Sequence, residues 1–226
     1  MSILSEMENV LPADIERRSM AIIESELDAI DNKPVLTPQQ KLIVKRVIHT
    51  TADFDFLHTL HFSDNAVESG LNALQNRAVI VTDTQMALSG ISKPALSALG
   101  CEAVCFMSDP AIAAIAKETG TTRAVASMNL AAERYSDRNV IFAVGNAPTA
   151  LVRLYELVTE GGLRPSLVIG VPVGFVNVVP SKRLMMACDV PSIVAEGRKG
   201  GSTVAAAICN ALLYQLYDRA TGQLFH

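Results

Sequence analysis

Ala78-Val79-Ile80-Val81-Thr82-Asp83-Thr84 is an apolar, β-branched run that ends in three polar residues. Apolar side chains in succession, without alternation, are what a strand covered on both faces requires, and such strands belong to parallel sheets. Polar residues at the carboxyl end of such a strand stand where open α/β sheets hold ligands.

The same rhythm extends outward from this strand in both directions. Upstream, Ala66 to Leu74 reads as a helix that turns at Asn76-Arg77. Ser63-Asp64-Asn65 offers its cap, and an aromatic-rich strand is predicted over Phe54 to Phe62. Thr37-Pro38 pairs an N-cap residue with proline at the first helical position, so a helix is predicted from Pro38 to about His49. Leu11 to Ile30 carries apolar residues at spacings of three and four and reads as an amphipathic helix.

Downstream, a helix over Lys93 to Leu99 stops at Gly100, and a strand follows from Cys101 to Met107. Ser108-Asp109-Pro110 caps a helix to Thr119, and another helix spans Thr121 to Tyr135. Strands are predicted at Asn139 to Val144, Leu167 to Val171 and Ser192 to Ala195. Helices are predicted through Glu160, over Val178 to Ala187, and from the Gly197–Ser202 loop to about Arg219. Alternation of this kind gives an α/β fold with a mostly parallel sheet and helices on both faces. Residues 1–226 are expected to form a single domain, with Thr221 to His226 as a frayed tail.

Half of the 226 residues are hydrophobic, 19% are charged and the mean hydropathy is +0.29. A doubly covered sheet absorbs much of that apolar excess, and a subunit interface absorbs more. No uncharged apolar run reaches the length of a membrane span, and Met1 to Glu8 lacks the basic start of a secretory signal, so the expected compartment is the cytoplasm. A net charge of -4 with no basic cluster larger than Arg198-Lys199 argues against nucleic acid as a partner. Cys101, Cys105, Cys188 and Cys209 show no C-x-x-C spacing and read as small hydrophobes rather than metal ligands. Neither a metal nor a cofactor is called for.

One segment concentrates chemistry: Lys45-Arg46-Val47-Ile48-His49-Thr50-Thr51-Ala52-Asp53-Phe54-Asp55-Phe56. It holds an imidazole, hydroxyls and two carboxylates between apolar anchors. Histidine titrates near neutral pH, and Asp53, four residues on, reaches it if the helix continues. A histidine there can also simply cap a helix. Four strand ends are polar or glycine-rich: Thr82-Asp83-Thr84, Gly145-Asn146-Ala147-Pro148, Gly170-Val171-Pro172-Val173-Gly174 and Gly197-Arg198-Lys199-Gly200-Gly201-Ser202. In a parallel sheet they gather on one rim, although each alone is compatible with a plain turn. The chain has no G-x-G-x-x-G after a first strand, no P-loop and no G-x-S-x-G elbow, which disfavours dinucleotide enzymes, P-loop enzymes and serine hydrolases.

Arg46 through Phe56, Val81-Thr82-Asp83-Thr84-Gln85-Met86, Val144 through Leu151 and Val168 through Val176 closely resemble the precorrin-8X methylmutase family, also called cobalt-precorrin-8 methylmutase. The similarity continues through Gly197 to Ser202 and back to Ile15-Glu16-Arg17-Arg18-Ser19. The resemblance implies a homodimeric isomerase of cobalamin biosynthesis that moves a methyl group from C-11 to C-12 of a corrin precursor. It implies His49 as proton donor to the macrocycle. Arg17, Ser19, Thr84, Arg123, Arg198 and Lys199 are carried over as contacts to the substrate's carboxylate arms, with Thr50, Asn146, Val173 and Gly174 from the same motifs. Val173, Phe175 and Met86 are available as apolar walls for the tetrapyrrole. The competing readings are a non-catalytic corrinoid carrier and an interaction protein on the same fold.

Overall fold

The structure, a computed structural model, describes residues 11–225. Met1 to Glu8, on which the absence of a signal was argued, and His226 lie outside them. Helices α1 (Pro12–Ala29) and α2 (Pro38–Thr51) come first, and a single turn, α3 (Phe56–Thr59), leads into β1 (Leu60–Phe62). Helix α4 (Ala66–Gln75) precedes β2 (Val79–Thr82), after which α5 (Gln85–Gly90) and α6 (Lys93–Leu99) return to β3 (Glu102–Val104). Helices α7 (Pro110–Glu118) and α8 (Arg123–Arg134) bridge to β4 (Val140–Val144). Then α9 (Pro148–Thr159) connects to β5 (Leu167–Gly170), and α10 (Val178–Met186) to β6 (Ser192–Ala195). Helix α11 (Ser202–Leu213) ends in a hairpin of β7 (Tyr217–Asp218) and β8 (Gln223–Leu224).

The main sheet has six strands in the order β1-β6-β5-β4-β2-β3. Every pairing is parallel except that of β1, which runs antiparallel to β6 at one edge. The expected class, a mostly parallel α/β sheet in a single domain, is the one observed. Alternate strand residues feed two cores. Ile80, Ile141, Ile169 and Ile193 pack with α2, α4, α5 and α11 on one face. Val79, Val81, Phe142, Val144 and Val168 pack with α7, α8, α9 and α10 on the other.

The chain leaves β2 toward β3 on one side and continues from β4 toward β5 and β6 on the other, so the crevice outside the ends of β2 and β4 is the topological switch point. Asp83, fully buried, closes that crevice from beneath. Its carboxylate accepts the backbone N–H groups of Gly145 (2.8 Å), Asn146 (2.8 Å) and Ala147 (2.6 Å). Burial pushes the Asp83 carboxyl above the ordinary carboxylate value, and the three N–H donors pull against that shift. Glycine is required at 145 because a Cβ there would stand 2.7 Å from Ser202 Cα, where α11 begins.

Helix α2 is fixed at its start by a capping box: Gln40 N–H donates to Thr37 Oγ1 (3.2 Å) and Thr37 N–H to Gln40 Oε1 (2.9 Å). Val47 and Ile48 are buried, which turns His49 and Thr50 outward. Ala52 then adopts the left-handed conformation (φ 53°) and ends the helix.

Several predicted segments differ. The strand expected over Phe54 to Phe62 begins only at Leu60, because Asp53 Oδ1 accepts Asp55 N–H (3.0 Å) and the following residues wind into the α3 turn. Ahead of α4, Asn65 is left-handed and its side chain makes no cap bond. The strand expected from Cys101 to Met107 is only β3, its end held by Thr82 Oγ1 donating to Val104 O (3.3 Å). Helix α5, unforeseen, is capped by Thr84, whose Oγ1 accepts Ala87 N–H (3.1 Å). The last helix stops at Leu213 rather than Arg219. The tail expected to fray is paired at β7 and β8, with Phe225 N–H on Leu216 O (3.0 Å).

Two stability measurements check this scaffold. Thr37→Ala, which removes one half of the capping box, is expected to cost about 1 kcal/mol in chemical denaturation. Asp83→Asn sets an amide donor against backbone donors and is expected to cost about 2–4 kcal/mol by the same assay, at an unchanged denaturant slope.

Candidate active site

His49 stands on the last turn of α2, exposed, and lines a groove of about 380 Å³ between α2, α5 and α11. Thr50 and Arg46 of the same helix, Met86 of α5, and Thr203 and Asn210 of α11 share its walls. Among the described residues, no hydrogen bond restrains the His49 ring. A larger cavity, about 580 Å³, opens near the starts of α2 and α4. Its lining of amides, hydroxyls, aliphatic side chains and Glu68 includes no histidine, lysine or arginine, so of these two openings it is the groove beside His49 that carries an imidazole.

The carboxylate expected to reach His49 is engaged elsewhere. With the helix ended at Ala52, Asp53 is carried off the His49 face. Asp53 Oδ2 and Asp55 Oδ2 both accept from Lys199 Nζ at 2.6 Å. The Lys199 ammonium holds the Asp53 carboxyl below the ordinary carboxylate value. This pair ties the end of α2 to the loop after β6.

At the lower end of the groove an ion network joins α1, α2 and the segment after α11. Glu16 Oε1 accepts from Arg46 Nη1 and from Arg219 Nη1, both at 2.6 Å. Both guanidinia lie over the Tyr214 ring, at 5.2 and 4.7 Å from its centroid. Burial raises the Glu16 carboxyl, and the two guanidinium hydrogen bonds outweigh it and hold the group below its usual range. Sequence reasoning singled out Arg17 and Ser19, but it is Glu16 that lines the groove. Arg17 is on the outer side of α1, bound to Asp14 (2.8 Å), and Ser19 Oγ donates to Ile15 O (2.9 Å).

The strand-end loops do converge. Thr84 Oγ1 donates to Ser202 Oγ (2.8 Å), which joins the end of β2 to the start of α11. Asn146 is held through its N–H by Asp83. Gly174 (φ 145°) donates its N–H to Arg198 O (3.1 Å), and the Arg198 guanidinium lies over the Phe175 ring at 5.3 Å. Gly200 allows the closest approach of all: a Cβ there would meet Val171 O at 2.1 Å. Arg123 begins α8 on the opposite face of the sheet. The contact between the Thr122 and Thr149 hydroxyls (3.2 Å) brings it to the same rim as the start of α9. Among the described residues, neither Arg123 nor Arg198 has a carboxylate partner. Met86, Val173, Phe175 and Val176 leave large apolar surfaces exposed at this rim, Phe175 at 81%.

Two participants were missed from sequence. Asp83 was noticed only as part of a polar strand end, and nothing local announces that it clamps a loop 62 residues away. Lys182 is almost wholly buried and donates to Gly197 O and Lys199 O. Its signal was available: Val178, Ser181, Lys182 and Met185 form one helical face, the face that α10 buries.

A family model described as precorrin-8X methylmutase matches residues 14–215. The cobalt-precorrin-8 methylmutase of Salmonella typhimurium is 46% identical over 209 residues, covering 92% of this chain and 97% of that protein. The precorrin-8X methylmutase of a Sinorhizobium species is 34% identical, covering 88% of this chain and 92% of its own. The solved precorrin-8X methyl mutase of Thermus thermophilus superposes with a TM-score of 0.80 at 40% identity, over 88% of this chain and 96% of that one. No described helix is long and apolar enough to cross a membrane. The chain belongs to the precorrin-8X methylmutase family of isomerases.

Proposed function

We propose that this protein moves a methyl group from C-11 to C-12 of precorrin-8 or cobalt-precorrin-8, formally a 1,5-sigmatropic shift, with His49 as the general acid. The product is hydrogenobyrinic acid, or cobyrinic acid when the macrocycle carries cobalt. Family membership makes the chain an isomerase of cobalamin biosynthesis. The carbon positions and the proton donor are the finer reading.

The single observation that supports His49 as the proton donor is its state: it is exposed on an open groove, and among the described residues no acceptor holds its ring. A proton held there is available to a bound macrocycle. Protonation by His49 polarises the conjugated system, the C-11–methyl bond breaks as the C-12–methyl bond forms, and the proton then returns to the imidazole, so that the atoms and electrons of the substrate are conserved. Cobalt, where present, belongs to the substrate.

The substrate is a broad, polycarboxylate tetrapyrrole, so donors must compensate a chain of net charge -4. Arg123 and Arg198, without carboxylate partners among the described residues, supply guanidinium forks suited to its arms. Thr50, Thr84 and Asn146 add polar contacts on this rim, whereas Arg17, Ser19 and Lys199 are held by Asp14, Ile15 O and the Asp53–Asp55 pair, and Gly174 lets the backbone come close. Met86, Val173 and Phe175 offer apolar walls to the macrocycle faces. We read the protein as a cytoplasmic homodimer, in which a second subunit covers part of this exposed rim.

Replacing His49 by Ala is expected to lower kcat by about 10²–10⁴-fold while affinity for the corrin product stays near wild type. Turnover is followed by the absorbance change from a non-corrin to a corrin chromophore. Unchanged turnover in His49→Ala sinks the acid role, and wild-type protein that binds tetrapyrrole with no absorbance change is a carrier.

A further inference from the structure

Lys182 is a buried cation that the methyl shift leaves unused. It is 1% exposed on α10, and among the described residues no carboxylate meets it. Its Nζ donates to the carbonyls of Gly197 (2.9 Å) and Lys199 (2.8 Å). Enclosing an ammonium in this way is costly, and burial alone pulls its pKa down to about 8, so the charged form still prevails at neutral pH. A site that needed only filling would be served better by an apolar side chain of similar volume. The cation therefore does something a methionine would not.

What it does is visible in the loop above it. Between its two acceptors, the Arg198 carbonyl accepts Gly174 N–H (3.1 Å), so three successive carbonyls each have an inward donor. The side chains of Arg198 and Lys199 are left on the outer surface, Arg198 over Phe175 and Lys199 on Asp53 and Asp55. Gly197, Gly200 and Gly201 sit at φ 80°, 154° and 134°. Glycine makes that path possible and also makes the loop entropically expensive to hold. A fixed charge bonded to two of its carbonyls offsets that freedom.

We propose that Lys182 is a positioning residue for substrate binding: its ammonium pins the Gly197–Gly201 loop by two carbonyls so that Arg198 is presented to a carboxylate arm of the tetrapyrrole. The inference rests on the reading of this rim as the tetrapyrrole site. Lys182 itself touches no substrate.

The test uses the full chain, with steady-state kinetics on the purified precursor and absorbance titration with the purified corrin product. In Lys182→Met, KM and the product Kd are expected to rise about 10-fold with kcat within about 3-fold of wild type, because ground-state and transition-state binding are lost together. Lys182→Arg keeps the charge and the donors, and is expected to restore both constants to within about 3-fold. Hydrogen exchange should quicken at residues 197–201 and stay unchanged in β6 and α11. A folded Lys182→Met with wild-type KM and Kd overturns the proposal. Failure of both variants to fold also overturns it, by assigning Lys182 to stability alone. Wild-type protein that neither converts nor binds a tetrapyrrole refutes the reading of the site instead, and that result is seen before any variant is made.

Discussion

The buried carboxylate of Asp83 is the constraint on which the site depends. Three backbone N–H groups of the loop after β4 converge on a side chain at the end of β2. That geometry holds the two strand ends together at the point where the chain changes direction across the sheet. Charge-assisted hydrogen bonds in a buried setting are among the stronger ones available, typically about 1.5–3 kcal/mol each. With that loop held, Gly145 lies flush against the start of α11, and Ser202 can meet Thr84. Helix α11 then forms one wall of the His49 groove, so a charge at the bottom of the crevice sets the shape of an opening two helices away.

The rim repeats this use of charge to hold backbone. Lys182 fastens carbonyls from below, and Lys199 fastens the loop to the end of α2 through Asp53 and Asp55. Glu16 gathers Arg46 and Arg219 onto Tyr214. Most cations near the groove are thus already matched. The exposed pairs contribute little to stability, roughly 0–1 kcal/mol each, and their larger effect is to keep loops in register with one another. Among the described residues, Arg123 and Arg198 stand outside that matching, as the substrate contacts proposed for them require.

The fold was largely legible because period and punctuation agree with burial. Runs such as Val79 to Val81 and Val140 to Val144 are apolar without alternation, and the structure covers both of their faces. Caps such as Thr37-Pro38 and Asp109-Pro110 mark helix starts to the residue. Segments where a local turn competes with extended structure were misread. The Asp53–Asp55 turn converts the start of an apparent strand into α3, and Thr84 initiates a helix too short to show a period. The site was legible in part. Its loops could be assigned to one rim from topology alone, whereas the partners of Asp83 and Lys182 depend on tertiary approach, which no spacing in the chain encodes.

His49 gains its standing from where its helix ends. Had α2 continued, Asp53 would fall four residues on, on the same face, and its carboxylate could take the imidazole N–H. Ala52 prevents this by entering the left-handed region, which costs a residue with a Cβ about 1–2 kcal/mol and is usually left to glycine. The turn sends Asp53 to Lys199 instead. One backbone reversal therefore does two things together: it anchors the loop that carries Arg198, and it takes the Asp53 carboxylate away from the imidazole. For the general-acid role proposed for His49 that arrangement serves better than a histidine–aspartate pair, because a bound macrocycle would then be the strongest available acceptor.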